Sequence, residues 1–483
     1  MTVTASRPTS ATLPIDDGAL ETFRSDFRGP LLRPGDEGYD SVRQVWNAMV
    51  DRRPSLIARC AGMVDVMRAV EFARCHDLLI AVRGGGHNVA GNAVCDGGLM
   101  IDLSLLKGVH VDPMAGTARA EGGVTWGELD RETQAFGLAT TGGTVSTTGI
   151  GGLTLGGGFG WLMRRHGLAC DNLLAADVVT ADGRFLRASA TENPDLFWGL
   201  RGGGGNFGVV TSYLFRLHEV GPTVMAGPLF HPVEAARDLF RFFGDIGPTL
   251  PETVGCMAAL LTSPDGMPLA ALVPAYTGPL NRGEDAVRPL RQFGSPVADL
   301  VSPTPYRTLQ TLFDPAFPAG RRNYWKSSFL RGLDDAAIAV MVDHFRRAPS
   351  PHAGIAIELF GAAVSRVGAD ETAFAHRASP FDAIIFTAWE DPTHDRANIR
   401  WVRDLWQALQ PHAADAVYVN YLGDARDEGA DRVRSAYGYA AYQRLASLKW
   451  EYDPSNLFRM NQNIAPSRSR AASLAMTSTA GSD

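Results

Sequence analysis

The sequence predicts an α+β protein with two large domains in succession. The chain has 483 residues, which exceeds the usual length of one domain. Up to about residue 220, short strand and helix patterns are separated by three glycine-rich segments. Beyond that point the glycine clusters stop, and amphipathic helix patterns alternate with strand patterns. This second part is therefore expected to form a sheet with helices covering one face.

The composition is that of a globular protein with an excess of glycine. Hydrophobic residues make up 45% of the chain and charged residues 20%, whereas the 52 glycines exceed the usual share of ~7%. A net charge of −7 argues against nucleic acid or an anionic membrane as the main partner. The five cysteines are scattered and form no zinc-binding pattern. Because neither a signal peptide nor a membrane-spanning apolar stretch is recognisable, we expect a cytoplasmic protein.

The first part begins with a predicted strand–helix–strand unit. Residues 1–20 are rich in Thr, Ser, Ala and Pro and are expected to be poorly ordered. Residues 55–58 and 78–82 are predicted strands, and between them apolar residues recur at helical spacing from Met63 to Ala73. Further along, we expect strands at 99–103, 109–111 and 117–120, a helix from the capping box of Thr125 and Glu128 to Gly137, a hairpin of 173–180 with 184–188, and a helix beginning at Asn193 and Pro194.

The first glycine-rich segment, residues 82–91, directly follows the second of these strands. Gly84, Gly85 and Gly86 permit positive φ and carry no Cβ, so backbone N–H groups can close on a large anionic ligand. His87 stands at the tip of this loop, where its imidazole could be held against the ligand. A surface turn with a solvated histidine is the alternative interpretation.

Two more glycine-rich segments follow, at residues 141–160 and 198–210. Such a density of glycine is expected to exclude a stable helix or central strand and to line a groove with backbone. The last segment contains G-x-G-x-x-G at Gly203, Gly205 and Gly208, but a Rossmann site requires a strand before this motif and a helix after it. Here a helix is predicted before it and a strand after it, so we reject the Rossmann interpretation.

The second part of the chain supplies helices and strands in alternation. A further helical stretch is predicted from about residue 431, and residues 467–483 are expected to be a loose tail. The predicted helices lie near 233–245, 281–293, 335–347 and 394–410, and the predicted strands at 269–276, 324–330, 355–360 and 383–389.

Several motifs together resemble one protein family over residues 40–466. Four motifs resemble the FAD domain of the vanillyl-alcohol oxidase superfamily. They are Arg83-Gly84-Gly85-Gly86-His87, the run from Gly149-Ile150-Gly151-Gly152 to Gly160, Cys170-Asp171-Asn172 and Gly204-Gly205-Asn206-Phe207-Gly208-Val209-Val210. Two further motifs resemble the berberine bridge enzyme branch of that superfamily. They are Tyr418-Val419-Asn420-Tyr421 and the stretch from Asp453-Pro454 to Asn461-Gln462-Asn463-Ile464.

This resemblance implies a division into domains. A PCMH-type FAD-binding domain of two α/β subdomains is followed by a substrate domain whose antiparallel sheet is covered by helices. The implied ranges are 1–40 for an N-terminal extension, 41–220 for the FAD-binding domain, 221–430 for the substrate domain, 431–466 for a segment returning to the FAD domain and 467–483 for a flexible tail.

The resemblance also implies FAD as the cofactor, bonded covalently through its 8α-methyl carbon to His87. Some members add a bond from a cysteine, but Val145 occupies that position here, so no cysteinyl bond is expected. The other residues matched to FAD-binding positions are Arg83, Gly84, Gly85, Gly86, Asn88, Gly91, Thr144, Thr148, Gly149, Gly151, Gly152, Gly157, Gly158, Asp171, Asn172, Gly205, Asn206, Gly208, Val209, Asn420 and Asn461.

The implied activity is oxidation of a small molecule, such as a sugar, an amine or a secondary-metabolite alcohol. Flavin takes a hydride from a C–H bond next to oxygen or nitrogen, and a side-chain base removes the accompanying proton. Electrons passed to molecular oxygen give hydrogen peroxide, which defines an oxidase. Thr148 stands where the family has a small apolar residue associated with oxygen access, so a dehydrogenase with another acceptor stays open. A non-catalytic protein that holds flavin is a further alternative, and the oligomeric state is open.

Glu358 and Tyr418 are predicted to face the substrate. Glu358 interrupts an apolar strand and is expected to bind or polarise the substrate; the alternative is a carboxylate paired with an arginine at the sheet edge. Strand alternation puts Tyr418 and Asn420 on the face opposite Tyr421, which we assign to the core. Tyr418 is predicted to be the catalytic base, in agreement with the family motif; a hydrogen bond within the domain interface is the alternative.

Overall fold

The computed structural model describes residues 16–468 and has the predicted α+β architecture. The predictions for residues 1–15 and for the tail beyond residue 468 lie outside the described residues. The strands are β1 (Leu31–Leu32), β2 (Leu56–Arg59), β3 (Ile80–Arg83), β4 (Leu99–Asp102), β5 (Val109–Asp112), β6 (Thr117–Glu121), β7 (Leu138–Ala139), β8 (Leu173–Val179), β9 (Phe185–Ser189), β10 (Val209–Arg216), β11 (His218–Glu219), β12 (Thr223–Ala226), β13 (Leu229–Pro232), β14 (Val254–Thr262), β15 (Pro268–Tyr276), β16 (Ala298–Asp299), β17 (Ser302–Pro305), β18 (Arg322–Leu330), β19 (Gly354–Leu359) and β20 (Phe381–Trp389).

Helices connect these strands and cover the sheets. Within residues 16–468, every helix is too short or too polar to cross a bilayer. The α-helices are α1 (Asp17–Ser25), α2 (Tyr39–Val42), α3 (Met63–Cys75), α4 (Trp126–Thr133), α5 (Ile150–Leu155), α6 (Met163–His166), α7 (Pro194–Leu200), α8 (Ala236–Ile246), α9 (Gly283–Arg291), α10 (Tyr306–Gln310), α11 (Asp335–Phe345), α12 (Ala363–Arg366), α13 (Asp395–Leu409), α14 (Ala425–Glu428), α15 (Ala430–Tyr437) and α16 (Tyr439–Tyr452).

The first sheet carries the first glycine-rich segment at the end of one strand. Its order is β1-β2-β4-β3, with β2, β4 and β3 parallel and β1 antiparallel to β2. Helix α3 connects β2 to β3 and buries Val66, Ala69 and Val70, which confirms the predicted strand–helix–strand unit. The glycine-rich loop therefore leaves the carboxyl end of a parallel strand, where open α/β sheets commonly bind ligands.

The second sheet is antiparallel and carries the third glycine-rich segment. Its order is β5-β6-β10-β8-β9, and β8 and β9 form the predicted hairpin. The segment follows α7 and leads into β10, so its G-x-G-x-x-G has a helix before it and a strand after it. This order confirms that the motif is not a Rossmann fingerprint.

The third sheet has nine antiparallel strands and forms the second part of the chain. Helices α8, α11 and α13 cover one face, where Phe240, Phe243 and Ile338 are buried in a shared apolar cluster. Strand β19 points Ile355 and Ile357 into that cluster, so its alternate residues point to the opposite face. The predicted one-sided helix layer is confirmed, and the free face is available to form a site.

Three local predictions were wrong. Residues 17–20 are helical rather than poorly ordered, because α1 buries Leu20 and Phe23 against the first sheet. The second glycine-rich segment contains α5, since tertiary packing of Ile150 and Leu155 outweighs the low helix propensity of glycine. Residues 416–421 form no strand; Val419–Tyr421 is a turn of 3₁₀ helix.

Candidate active site

A large cavity lies between the glycine-rich segments and the free face of the third sheet. Its volume is about 1140 Å³, slightly above the usual range for ligand pockets. Of the residues predicted for the site, those that line it are Gly84, Gly85, Gly86, His87, Asn88, Thr144, Thr148, Gly149, Gly151, Gly152, Gly205, Asn206, Gly208, Val209, Glu358, Tyr418, Asn420 and Asn461.

His87 reaches the cavity four residues beyond the end of β3. Its Nε2 atom lies 2.9 Å from Thr147 Oγ1, and its ring stacks on the indole of Trp46 with 4.8 Å between centroids. Burial lowers the pKa of His87 to about 4, although the Asp314 carboxylate opposes this shift. The imidazole is therefore neutral at pH 7 and keeps the lone pair that a nucleophile requires.

The first two glycine-rich segments touch through their backbones. A Cβ on Gly85 would lie 2.4 Å from the backbone nitrogen of Gly149, and a Cβ on Gly149 would lie equally close to the nitrogen of Gly85. No side chain fits at that distance, so this approach explains glycine at both positions. It places His87, Thr148 and Val145 along one wall of the cavity.

The C-terminal segment holds the third glycine-rich segment in place. Lys449 of α16 is fully buried, and its Nζ donates to the backbone oxygen of Asn206 at 2.7 Å and to Asp453 at 2.6 Å. Asn461 donates to the backbone oxygen of Gly205 at 3.1 Å. The backbone next to the cavity is thus fixed by groups more than 240 residues away in sequence.

Several predicted residues support the cavity without lining it. Arg83 forms an ion pair with the buried Asp102 at 2.9 Å, and Asp171 accepts two hydrogen bonds from Arg377 at 2.7 and 2.9 Å. Asn172 donates to backbone oxygens in the loop that precedes it. The residues that stand outside the lining are Arg83, Gly91, Gly157, Gly158, Asp171 and Asn172.

Glu358 projects from β19 into the cavity and is only 6% exposed. Tyr421 Oη lies 3.3 Å from both of its carboxylate oxygens. Burial raises the pKa of Glu358 to about 7, while the hydrogen bond from Tyr421 opposes the rise. Among the side chains that the structure describes, no arginine pairs with this carboxylate, so the structure does not support the alternative of an arginine-paired carboxylate at the sheet edge.

Tyr418 lies in the cavity wall with its ring stacked on Phe159 at 3.5 Å between centroids. Its hydroxyl oxygen accepts hydrogen bonds from the backbone N–H of Gly158 at 2.9 Å and from Asn420 Nδ2 at 2.7 Å. Burial raises the pKa of Tyr418, and these two donors oppose the rise. The tyrosine therefore touches the second glycine-rich segment and the sheet cavity at once.

The sequence-based reasoning missed several residues of this site. Tyr421 was assigned to the core because an assumed strand put it on the wrong face; the 3₁₀ turn brings it to Glu358 instead. Trp46 and Thr147 contact His87 from positions with no motif of their own. Asp382 lies opposite Glu358 on β20, and its register could not be read from the sequence.

The residues that line the cavity fit a large dinucleotide such as FAD. A Cβ on Gly152 or on Gly205 would meet no protein atom within 4 Å, so both positions leave open space beside exposed backbone. Backbone of this kind can approach phosphate and ribose groups closely. The buried Asn461 Oδ1 has no hydrogen-bond partner within the described part of the chain, and it faces this same end of the cavity.

Two family models match the chain. The FAD binding domain model matches residues 54–189, which include the first and second glycine-rich segments. The berberine and berberine-like model matches residues 417–465, from the Tyr418 region to the segment that contacts Gly205. Both matches include residues that line the cavity opposite the third sheet, whereas the third glycine-rich segment lies between the two matched ranges.

Known relatives match along nearly the whole chain. An FAD-linked oxidoreductase of Dictyostelium discoideum is 33% identical over 455 residues, covering 92% of this chain and 97% of that protein. The (R)-6-hydroxynicotine oxidase of Paenarthrobacter nicotinovorans is 31% identical over 463 residues, covering 91% and 97%.

Solved structures share the fold. The crystal structure of 6-hydroxy-D-nicotine oxidase from Arthrobacter nicotinovorans superposes with a TM-score of 0.84 at 30% identity, covering 91% of this chain and 98% of that one. A chitooligosaccharide oxidase superposes with a TM-score of 0.83 at 24% identity. The chain is thus an FAD-dependent oxidoreductase and belongs to the berberine bridge enzyme-like branch of the vanillyl-alcohol oxidase (PCMH-type FAD-binding) superfamily.

Proposed function

We propose that this protein is an oxidase whose FAD is bonded covalently to His87 and whose electrons pass to molecular oxygen. The observation that carries the proposal is the shared cavity, which brings the glycine-rich backbone and His87 opposite Glu358 and Tyr418. When bound, FAD would supply the two-electron oxidation of a C–H bond next to nitrogen or oxygen. The side chains around it bind the substrate, orient it and take up its proton.

A neutral histidine supports the covalent bond. His87 is half-buried, its ring is fixed by Trp46 and Thr147, and its low pKa leaves a free lone pair at neutral pH. The bond is single because Val145 lines the cavity where other members have cysteine. Cys170 is fully buried outside the lining, and burial raises its pKa well above the ordinary value, so it is a poor nucleophile.

Tyr418 and Glu358 have different proposed roles toward the substrate. Tyr418 is the proposed base. Burial raises its pKa, so this role requires the phenolate to be favoured by the two N–H donors that converge on its oxygen. Glu358 binds or polarises the substrate from the sheet, with Tyr421 orienting its carboxylate. Trp325, Phe386 and the strands around them exclude water from the space between.

The substrate is a small organic molecule, and an amine is favoured by one relative. A relative that covers nearly the same length and is 31% identical is named (R)-6-hydroxynicotine oxidase. Sugars and secondary-metabolite alcohols remain candidate substrates, because the lining residues on the substrate side of the cavity are spread over several strands of the third sheet. Thr148 lines the cavity, and its side chain beside the predicted FAD position leaves a dehydrogenase as the second candidate function.

A substrate panel read by flavin absorbance tests the proposal. Amines, sugars and aromatic alcohols are mixed anaerobically with the purified holoprotein, and air is then admitted. We expect at least one compound to bleach the flavin, and air to restore the yellow colour with formation of hydrogen peroxide. Reoxidation by a quinone but not by air would assign a dehydrogenase. A flavin that no compound bleaches would favour the non-catalytic alternative.

A further inference from the structure

The imidazole of His87 is held by two contacts from different parts of the chain. Its Nε2 atom lies 2.9 Å from Thr147 Oγ1, and its ring stacks on Trp46 with an angle of 21° between the two planes. Among the described residues, Nδ1 of this ring has no hydrogen-bond partner. When Nε2–H donates to Thr147, the lone pair lies on Nδ1 and is free to form a new bond.

Thr147 is anchored to the third sheet through the residue before it. The backbone nitrogen of Ser146 donates to Asp314 Oδ1 at 2.8 Å, and the Ser146 hydroxyl donates to Asp314 Oδ2 at 2.6 Å. Asp314 lies in residues 311–321, which connect α10 to β18 and are called the connecting segment below. Both oxygens of one carboxylate thus fix the chain directly beside Thr147.

Trp46 is anchored to the same connecting segment. Its indole Nε1 donates to the backbone oxygen of Phe317 at 2.9 Å, and its own backbone oxygen accepts from the nitrogen of Gly320 at 3.1 Å. The next side chain, Asn47, donates to the backbone oxygen of Asn323 in β18 at 3.0 Å and accepts from its backbone nitrogen at 2.9 Å. The indole that stacks on His87 is therefore located by the third sheet.

Both contacts on the imidazole thus lead to one short segment of the other domain. Trp46 and Thr147 are far apart in sequence and approach the ring independently, yet each is fixed by the connecting segment. Contacts that only join the domains are the alternative interpretation. That interpretation predicts changes in folding and in FAD affinity when the contacts are removed, without a separate effect on His87.

We propose that the connecting segment positions the His87 ring for attachment of the flavin, so that the covalent bond forms efficiently only when the third sheet is docked on the glycine-rich walls. This inference rests on the proposed function, because it concerns the bond to His87. Thr147 and Trp46 are positioning residues that touch the ring, and Asp314 acts through Ser146. The orientation of one nucleophile is thereby linked to the assembly of the whole cavity.

The attachment step balances with molecular oxygen as the electron acceptor. A bond forms between Nδ1 and the 8α-methyl carbon, while one C–H bond of that methyl group and the N–H bond at Nε2 break. The two electrons and two protons released convert one molecule of oxygen to hydrogen peroxide by way of the flavin. Thr147 accepts the hydrogen bond from Nε2, so it lies where the ring proton leaves.

The rate of attachment in the full-length protein tests the role of Thr147. Flavin-free protein from riboflavin-starved cells is mixed with FAD in aerated buffer, acid precipitation gives the covalent fraction over time, and quenching of tryptophan fluorescence gives the FAD affinity. Thr147→Val keeps the size of the side chain and should slow attachment about tenfold or more, with FAD affinity unchanged. Thr147→Ser restores the hydroxyl and should restore the wild-type rate.

Asp314→Ala tests the link between the domains. It removes both hydrogen bonds to Ser146 and leaves every atom that touches His87 in place, so attachment should slow by about fivefold or more while FAD affinity is kept. Asp265→Ala is the matched control and should attach at the wild-type rate. Asp265 also accepts a hydrogen bond from a serine hydroxyl at 2.6 Å, but in the exposed turn between β14 and β15.

The outcomes separate this inference from the proposed function. A wild-type attachment rate in Asp314→Ala, or a loss of rate matched by an equal loss of FAD affinity, would overturn the inference. If wild-type protein forms no covalent flavin, the proposed bond is contradicted, and ¹⁵N NMR of the histidine-labelled flavin-free protein decides instead. The His87 signal, identified by its loss in His87→Ala, should show one fixed tautomer in wild type and averaged tautomers in Asp314→Ala; averaging in both would overturn the inference.

Discussion

Tyr418 and Tyr421 are three residues apart, yet their hydroxyl groups contact opposite walls of the cavity. Tyr418 accepts hydrogen bonds from Gly158 and Asn420, whereas Tyr421 lies against the Glu358 carboxylate. The ring planes are nearly perpendicular, with 4.8 Å between centroids. The first tyrosine is thus placed to accept a proton next to the glycine-rich wall, and the second to orient the carboxylate.

Replacing each tyrosine by phenylalanine distinguishes these roles. Tyr418→Phe should slow flavin reduction by about 10² to 10⁴-fold, which is the usual contribution of a general base. Tyr421→Phe removes the hydrogen bond to the Glu358 carboxyl group but leaves the proposed base in place, and should slow flavin reduction by about tenfold at most. Anaerobic stopped-flow absorbance measures both rates, with FAD content as the control. A Tyr418→Phe rate within a fewfold of wild type would show that another group takes the proton.

At the scale of elements, buried polar contacts join segments that are far apart in sequence. Helix α16 reaches the third glycine-rich segment through Lys449, and α4 meets α10 through Asp130 and Gln310. Each contact lies in a region with little access to water, where an unpaired charge is expensive. These contacts hold the walls of the cavity in place. Their loss should therefore lower the free energy of unfolding more than it lowers the rate of the reaction.

The buried ion pair of α16 is the stronger test of this idea. Asp453→Ala leaves the Lys449 ammonium buried without its partner, and we expect the free energy of unfolding to fall by about 3–5 kcal/mol. Asp195→Ala breaks an exposed pair with Arg444 and should cost less than about 1 kcal/mol. Urea unfolding followed by tryptophan fluorescence measures both. Equal losses in the two variants would contradict the role of the buried pair.

The contact between α4 and α10 should depend on pH. Burial raises the pKa of Asp130 to about 7, while the hydrogen bond from Gln310 opposes the rise. The folded state therefore holds a proton that the unfolded state releases near the ordinary pKa, and the stability linked to it is lost progressively as the pH rises from that ordinary pKa to about 7.

Asp130→Asn keeps the size of the side chain and removes its titration. Wild type should lose roughly 2–3 kcal/mol more stability than this variant between pH 5 and pH 8, because the slope is about 1.4 kcal/mol per pH unit between the two pKa values. Urea unfolding at both pH values gives the difference. The same loss in both proteins would show that Asp130 does not titrate in this range.

At the scale of the whole molecule, local patterns in the sequence were enough to predict most of the longer helices and many of the strands. They also predicted the glycine-rich wall of the site. Helical and alternating periodicity predicted α8, α9, α11 and α13 and four of the nine strands of the third sheet, because each pattern is complete within about ten residues. These four strands are β15, β18, β19 and β20, whereas β12, β13, β14, β16 and β17 were not predicted. Glycine clusters indicated the backbone-lined wall, since few other structures need so many residues without Cβ. The family resemblance then supplied FAD.

The rest of the site depends on contacts between distant segments. The facing of Glu358 and Asp382 is set by strand register across 24 residues, and Trp46 meets His87 through packing that no local pattern records. The run around Tyr418 alternates like a strand, but Asn420 donates to the backbone oxygen of Leu153 and the chain turns instead. Tertiary contacts therefore determine the backbone conformation around Tyr418 and the pairing of distant site residues, which local sequence patterns do not reveal.

The proposed covalent bond between one flavin and His87 is tested most directly by the mass of a single peptide. Purified protein is precipitated with acid, washed and digested, and the yellow peptides are sequenced by mass spectrometry. We expect the colour to stay with the precipitate and one peptide, containing His87, to carry the mass of the flavin; His87→Ala should carry none. Flavin released completely into the supernatant, or found on a cysteine such as Cys170, would contradict the account.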